Sequence, residues 1–123
     1  SALHQGADRR YQGLMTTVSF HLAGSRITGF EVQGHSGYAD EGSDIVCAAV
    51  TSAVRLVEAT VNDVMGLCAS VKVCEKTATI SFRLPGSLGP TAENTCQNLL
   101  TGMMVYLSQL HDEYPDNIEV LEA

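Results

Sequence analysis

The chain is predicted to fold as an α+β domain in the order β-β-α-β-β-α-β, with two helices packed on one mixed sheet. Three observations carry this. Five short segments alternate apolar and polar residues, the pattern of half-buried strands. Two longer segments carry apolar residues at helical spacing. Glycine and proline punctuate the joins, at Gly24, Gly34, Gly66, Pro85-Gly86 and Pro115. Such an order suits helices laid on one face of a sheet, with the other face or the edges left for self-association.

The elements follow in sequence. Val18, Phe20 and Leu22 alternate with Thr17, Ser19 and His21, and read as the first strand. Gly24-Ser25 is a turn, and Arg26 to Gln33 is a second strand with Phe30 and Val32 on one face, so the two form a hairpin. Gly34 ends it, and residues 34–43 read as loop. A helix follows from Asp44 to about Gly66, capped by Ser43 or Asp44 and stopped by the glycine. Ala69, Val71 and Val73 mark a third strand. Ala78, Ile80, Phe82 and Leu84 mark a fourth, with the turn near Glu75-Lys76. A second helix starts at Ser87 or Thr91 and runs to about His111. Its stripe is Cys96, Leu99, Leu100, Met103, Leu107 and Leu110. Ile118 and Val120 make a last short strand.

The 123 residues suit one domain with its own core. Residues 1–14 are polar and aperiodic, and read as an expression remnant or a disordered extension ahead of a single domain, 15–123. Losing Asp8, Arg9 and Arg10 with that segment removes a net +1, so the charge moves from −7 to −8. An acidic balance argues against nucleic acid as a direct ligand, because phosphate binding needs Lys and Arg. It favours basic partners. No apolar run is long enough to span a membrane, and the N-terminus lacks the apolar core of an export signal. The four cysteines, Cys47, Cys68, Cys74 and Cys96, therefore read as free thiols of a cytoplasmic protein. They form no Cys-x-x-Cys pair, which speaks against a metal site or a redox pair. No cofactor is expected.

Cys47 stands apart from the other thiols. On a helical wheel it shares a narrow stripe with Asp44, Thr51, Arg55, Glu58 and Asn62, all polar, whereas a structural cysteine belongs with the valines. Placed in the first turn, it would meet free backbone N–H groups and the positive end of the helix dipole, which lower a thiol pKa. His35 lies twelve residues earlier, at a strand end. The intervening loop of small residues, Ser36, Gly37, Tyr38, Gly42 and Ser43 among them, can return the chain to that end and move over a bound peptide. An imidazole beside a thiol is the minimum equipment of a cysteine nucleophile. Asp44 has two readings: a helix cap, which its position favours, or the group that orients His35.

The run Gly34-His35, then Gly42-Ser43-Asp44-Ile45-Val46-Cys47-Ala48-Ala49-Val50-Thr51, resembles the ribosomal-processing cysteine protease family. That family has serine four residues after the cysteine. Thr51 stands there in this chain and keeps a hydroxyl on the face of Cys47. Ser36 replaces a usual alanine. The resemblance implies a bacterial homodimeric endopeptidase of the cytoplasm. Its substrate would be the N-terminal extension of a basic large-subunit ribosomal protein, cut after an aromatic residue. Cys47 would be the nucleophile and His35 the base and acid. Gly34, Asp44 and Thr51 would support them, with backbone N–H groups near Cys47 as oxyanion donors. An apolar pocket beside Cys47 is then required. The competing reading is a non-enzymatic, ribosome-associated interaction domain.

Overall fold

The computed structural model describes residues 15–34 and 41–123. The expectations for residues 1–14 and for His35, Ser36, Gly37 and Tyr38 fall outside these residues.

Strand periodicity sets the core. β1 (Thr16–Ala23) and β2 (Arg26–Gln33) form an antiparallel hairpin with Phe20 opposite Phe30. β4 (Thr79–Arg83) pairs antiparallel with β2 and sets Phe82 opposite Phe30. This aromatic row crosses the middle of the sheet. The Phe30 and Phe82 rings stack with centroids 5.0 Å apart, and Phe20 tilts against Phe30 at 5.9 Å. Each such pair contributes about 0.5–1.5 kcal/mol beyond its burial. β3 (Ser70–Cys74) closes one edge, antiparallel to β4. β5 (Ile118–Glu122) closes the other, parallel to β1. The order is β3-β4-β2-β1-β5, a mixed sheet as predicted.

Two helices cover the phenylalanine face: α1 (Glu41–Glu58) and α2 (Pro90–Glu113). α1 buries Val46, Val50, Val54 and Val57. α2 buries Cys96, Leu100, Met103, Leu107 and Leu110. The reverse face carries the polar row Ser19, Glu31, Ser81 and Lys72, with Leu121 beside Ser19 on β5. Two side-chain clamps tie α2 to the hairpin. The Gln97 amide accepts from the Ile27 N–H and donates to the Ile27 carbonyl, both at 2.8 Å. The Arg26 guanidinium spans both carboxylate oxygens of Glu93 and also donates to the Pro85 carbonyl.

The first helix departs from its predicted limits at both ends. α1 begins at Glu41, three residues early, so Gly42 and Ser43 lie in its first turn and not in the loop. Ser43 explains this: it is 2% exposed and extends the buried face of Val46 and Val50 backwards. At the other end the regular ladder stops at Glu58. Residues Ala59–Val64 form one wider turn that keeps Val61 buried, with the Met65 N–H bonded to the Thr60 carbonyl at 2.9 Å. Gly66, at φ +68°, terminates it. Asn62, predicted on the polar stripe, is spent on structure. Its amide accepts from the Ala69 N–H at 2.6 Å and donates to the Ala69 carbonyl at 3.2 Å.

Candidate active site

The candidate site draws on the start of β1, the end of β2 and the second turn of α1. Thr16 opens β1 and is 1% exposed. Its N–H bonds the Asn117 carbonyl at 2.9 Å, in line with the parallel register Thr16 to Ile118. Gly34 follows β2 with φ +73°, and a Cβ there would overlap the Met15 carbonyl oxygen. Only glycine lets the chain pass so close. The strand end that leads into His35 is thereby pressed onto the residues that start β1. Cys47 is half-buried on α1, and the Thr16 hydroxyl acts on its thiol.

Burial pushes the Cys47 thiol above its ordinary value of 9.0. The Thr16 hydrogen bond opposes that rise, and the Asp44 carboxylate adds to it. The expected depression at a helix start is therefore not what these surroundings produce. With α1 starting at Glu41, Cys47 is its seventh residue, and the unpaired N–H groups of a helix end with its fourth. The same shift removes Cys47's own N–H from the expected oxyanion donors. It also moves Asp44 off the cap position. Asp44 is exposed in the first turn, where a carboxylate still suits the helix dipole. Thr51 lies one turn beyond Cys47 on the same face, partly buried.

The sequence reading missed Thr16, although a signal was present. It shares the parity of Val18 and Phe20 and is the one hydroxyl on the buried side of β1. The other thiols sit elsewhere. Cys96 is buried in α2, and Cys68 and Cys74 are exposed at the two ends of the β3 segment. An apolar groove of about 690 Å³ opens between α1 and α2, lined among others by Ala49, Ala53, Leu56, Leu99, Gly102 and Tyr106. Its α1 residues are centred about half a turn round the helix from Cys47 at ~100° per residue, so this groove is not the pocket required beside the thiol.

A half-buried helical cysteine, in a chain whose preceding strand runs into a histidine, has the outline of a thiol hydrolase. The family described as "Cysteine protease Prp" matches residues 15–119, and the chain belongs to that family. It is a cysteine protease, which sets aside the non-enzymatic reading. The chain is similar to the ribosomal processing cysteine protease Prp of Bacillus subtilis, with 35% identity over 94 residues, covering 76% of this chain and 84% of that protein. Solved structures share the fold. A Staphylococcus aureus ribosomal processing protease Prp in complex with a substrate peptide has a TM-score of 0.75 at 20% identity, over 89% of this chain and all of that one. A Streptococcus mutans protein has a TM-score of 0.78 at 19% identity, over 90% and 96%. No helix among the described residues is long and apolar enough to cross a membrane.

Proposed function

We propose that this chain, as a single protease domain from Met15 onward, removes the N-terminal extension of a bacterial large-subunit ribosomal protein during ribosome maturation in the cytoplasm. The observation that supports the site assignment is the close pass of Gly34 over Met15, next to Thr16, whose hydroxyl acts on the Cys47 thiol. The substrate class comes from the curated relative's printed role in ribosomal processing. The net charge of −7 suits a basic segment next to the scissile bond.

In this reading His35 acts as a general base. The thiol is held up by burial, so it needs a base in place rather than a standing thiolate. His35 takes the Cys47 proton as the sulfur attacks the scissile carbonyl. The protonated imidazole then gives its proton to the leaving amine, and the acyl group remains on sulfur as a thioester. Water, deprotonated by His35, attacks that carbonyl and returns the free thiol. The test is incubation with a peptide spanning such an extension, beside Cys47→Ala, read by mass spectrometry. One cut after the aromatic residue, at least about a thousandfold slower in the variant, is expected. Equal cutting by both proteins would overturn the assignment.

The enzyme is further proposed to be a homodimer joined through the groove between α1 and α2. No charged residue occurs from Ile45 to Val54 or from Asn94 to Leu110. Leu56 and Tyr106 beside the groove are 63% and 45% exposed. Charge depletion with apolar and aromatic anchors marks an interface core. For two acidic chains it is also the face where repulsion is least.

A further inference from the structure

Charge is spread unevenly along this chain. Residues 90–123 hold Glu93, Asp112, Glu113, Asp116, Glu119 and Glu122 and no lysine or arginine. Residues 70–83, which form β3, β4 and their turn, hold Lys72, Lys76 and Arg83 against Glu75, a net +2. Register gathers two of these cations. Ser70 lies opposite Arg83 and Lys72 opposite Ser81, on the parity away from Phe82 and so on the face that the helices leave open. A long cation and a short serine thus alternate on each strand, and the four residues line a hollow of about 360 Å³. Gly29, the partner of Arg83 on β2, leaves that flank without a side chain, and a Cβ there would strike the Phe82 carbonyl oxygen. Neither Lys72 nor Arg83 has an ion-pair partner among the described residues. Glu31, next to Ser81 on β2, accepts from the Gln33 amide.

Two like charges set diagonally across a strand pair repel, and this chain has 14 acidic residues against 7 basic ones with which to part them. An anion in the hollow reverses that cost. We propose that the outer face of β3 and β4 docks an RNA phosphate backbone, with Lys72 and Arg83 on the phosphates and Ser70 and Ser81 donating hydrogen bonds to them. These are side-chain types that meet phosphate oxygens in nucleic-acid complexes, and a guanidinium fork matches two oxygens of one phosphate. The open setting favours a polyanion. A single small anion at an exposed cation is screened by water and salt, whereas a run of phosphates engages Lys72, Arg83 and Lys76 of the turn together. No aromatic side chain stands on the outer face of β3 or β4 to stack a base, so the contact is to the backbone and carries no sequence preference. The acidic overall balance is an average over unlike parts. β5, with Glu119 and Glu122, lies four strand spacings from β3, about 19 Å, which exceeds the screening length of ~10 Å at 0.1 M salt. The choice of RNA over DNA rests on the role in ribosome maturation proposed above; the anion site does not.

The test is fluorescence anisotropy of a labelled RNA hairpin of about 20 nucleotides, titrated with the full chain at KCl concentrations from about 25 to 150 mM. Wild type is expected to bind weakly, at roughly 100 μM in the lowest salt, and more weakly as salt rises. Lys72→Gln combined with Arg83→Gln should weaken binding at least about tenfold and flatten the salt slope by about 1–2. Both residues are exposed, so the variant is expected to fold and to cleave the extension peptide like wild type. Arg55→Gln removes an exposed cation of α1 instead and should stay within about twofold of wild type. A wild type that does not bind at the lowest salt overturns the proposal, as does a double variant that binds like wild type or an Arg55→Gln that loses as much. Displacement of the RNA by inorganic phosphate at matched ionic strength also overturns it and makes the hollow a free-anion site. Displacement by polyglutamate of equal charge overturns it in favour of an acidic protein. The failure of the protease reading is separate: Cys47→Ala would still cleave, and the anisotropy would be unmoved.

Discussion

Gly34 and Met15 stand so close that a single added carbon on Gly34 would occupy the Met15 carbonyl oxygen. This contact brings the end of β2 against the start of β1, and it carries two costs for any other residue. At φ +73° an alanine is strained by about 1–2 kcal/mol, and its Cβ must push backbone, which cannot rotate away. Gly34→Ala is expected to lose about 2–4 kcal/mol by thermal or denaturant unfolding. Gly24→Ala is the control, since Gly24 has φ +63° but nothing within 4 Å of an added Cβ. It should lose only about 1 kcal/mol. Equal losses at the two sites would remove the close pass from the account of the site. Gly34→Ala should also cleave more slowly per folded molecule, because Thr16 moves with Met15.

The sheet was legible because strand periodicity is a parity rule. Phe20, Phe30 and Phe82 each fall on the buried parity of their strands, and the register then places them in one row. Cys47 was legible for a similar reason, as the odd member of a polar stripe. The start of α1 was not. Gly42-Ser43 carries the same small polar signal in a loop and in a helical first turn, and what decides is the tertiary burial of Ser43. That three-residue difference propagated into chemistry. It moved Cys47 out of the first turn and Asp44 off the cap, and it left burial to set the direction of the thiol titration.

Asp44 is the next test of the site. Its carboxylate raises the Cys47 thiol through charge alone. Asp44→Asn removes that charge, so the Cys47 alkylation profile should move to lower pH. Cleavage reports separately on His35. A loss beyond about tenfold, despite a thiol that ionises more readily, would assign Asp44 to orienting the imidazole. Cleavage within about threefold would confine Asp44 to the helix dipole.

Thiol reactivity alone does not single out the nucleophile in this chain. Cys74 is exposed at the β3–β4 turn, where the Thr77 hydroxyl and the backbone N–H groups of Thr77 and Lys76 hold its thiol below 9.0. It should therefore alkylate fastest near neutral pH, ahead of Cys47, with the buried Cys96 last. Peptide mapping after brief iodoacetamide treatment checks the order. Cys74→Ser should leave cleavage unchanged and simplify the Cys47 profile. Cys47 reacting first would show that His35 lowers it further than its described surroundings raise it.

Cys96 makes stability depend on alkaline pH. It is fully buried, and burial first, then the Glu93 charge, push its thiol above 9.0, with Arg26 opposing. The folded chain keeps this proton to higher pH than the unfolded chain, so it binds more protons in between. Stability then falls as pH rises through that window. The contribution is fully present below about pH 8.5, near the unperturbed thiol value, and is lost above it. The melting temperature should drop more steeply between about pH 8.5 and 10.5 in the wild type than in Cys96→Ala, whose cavity costs a constant amount at every pH. Parallel curves would mean that the Cys96 thiol titrates alike in the folded and unfolded chain, so that burial does not raise it.

The groove between α1 and α2 makes the last prediction. Leu56 projects beside small residues, Ala49, Ala53 and Gly102, so the bulk of one copy has a hollow of matching character in the other. A two-fold interface places the same patch on both subunits, so one substitution acts twice. Leu56→Glu sets two carboxylates against an uncharged surface in a chain already at −7. Sedimentation should show a dimer for the wild type and a monomer for Leu56→Glu, with dimer affinity weakened at least about a hundredfold. The melting temperature at high dilution should be unchanged, since Leu56 is 63% exposed in the single chain. A variant that stays dimeric would place the subunit contact on another surface. A wild type that sediments as a monomer would leave the groove to a different partner. Cysteine chemistry would survive either result, because Cys47 faces away from the groove.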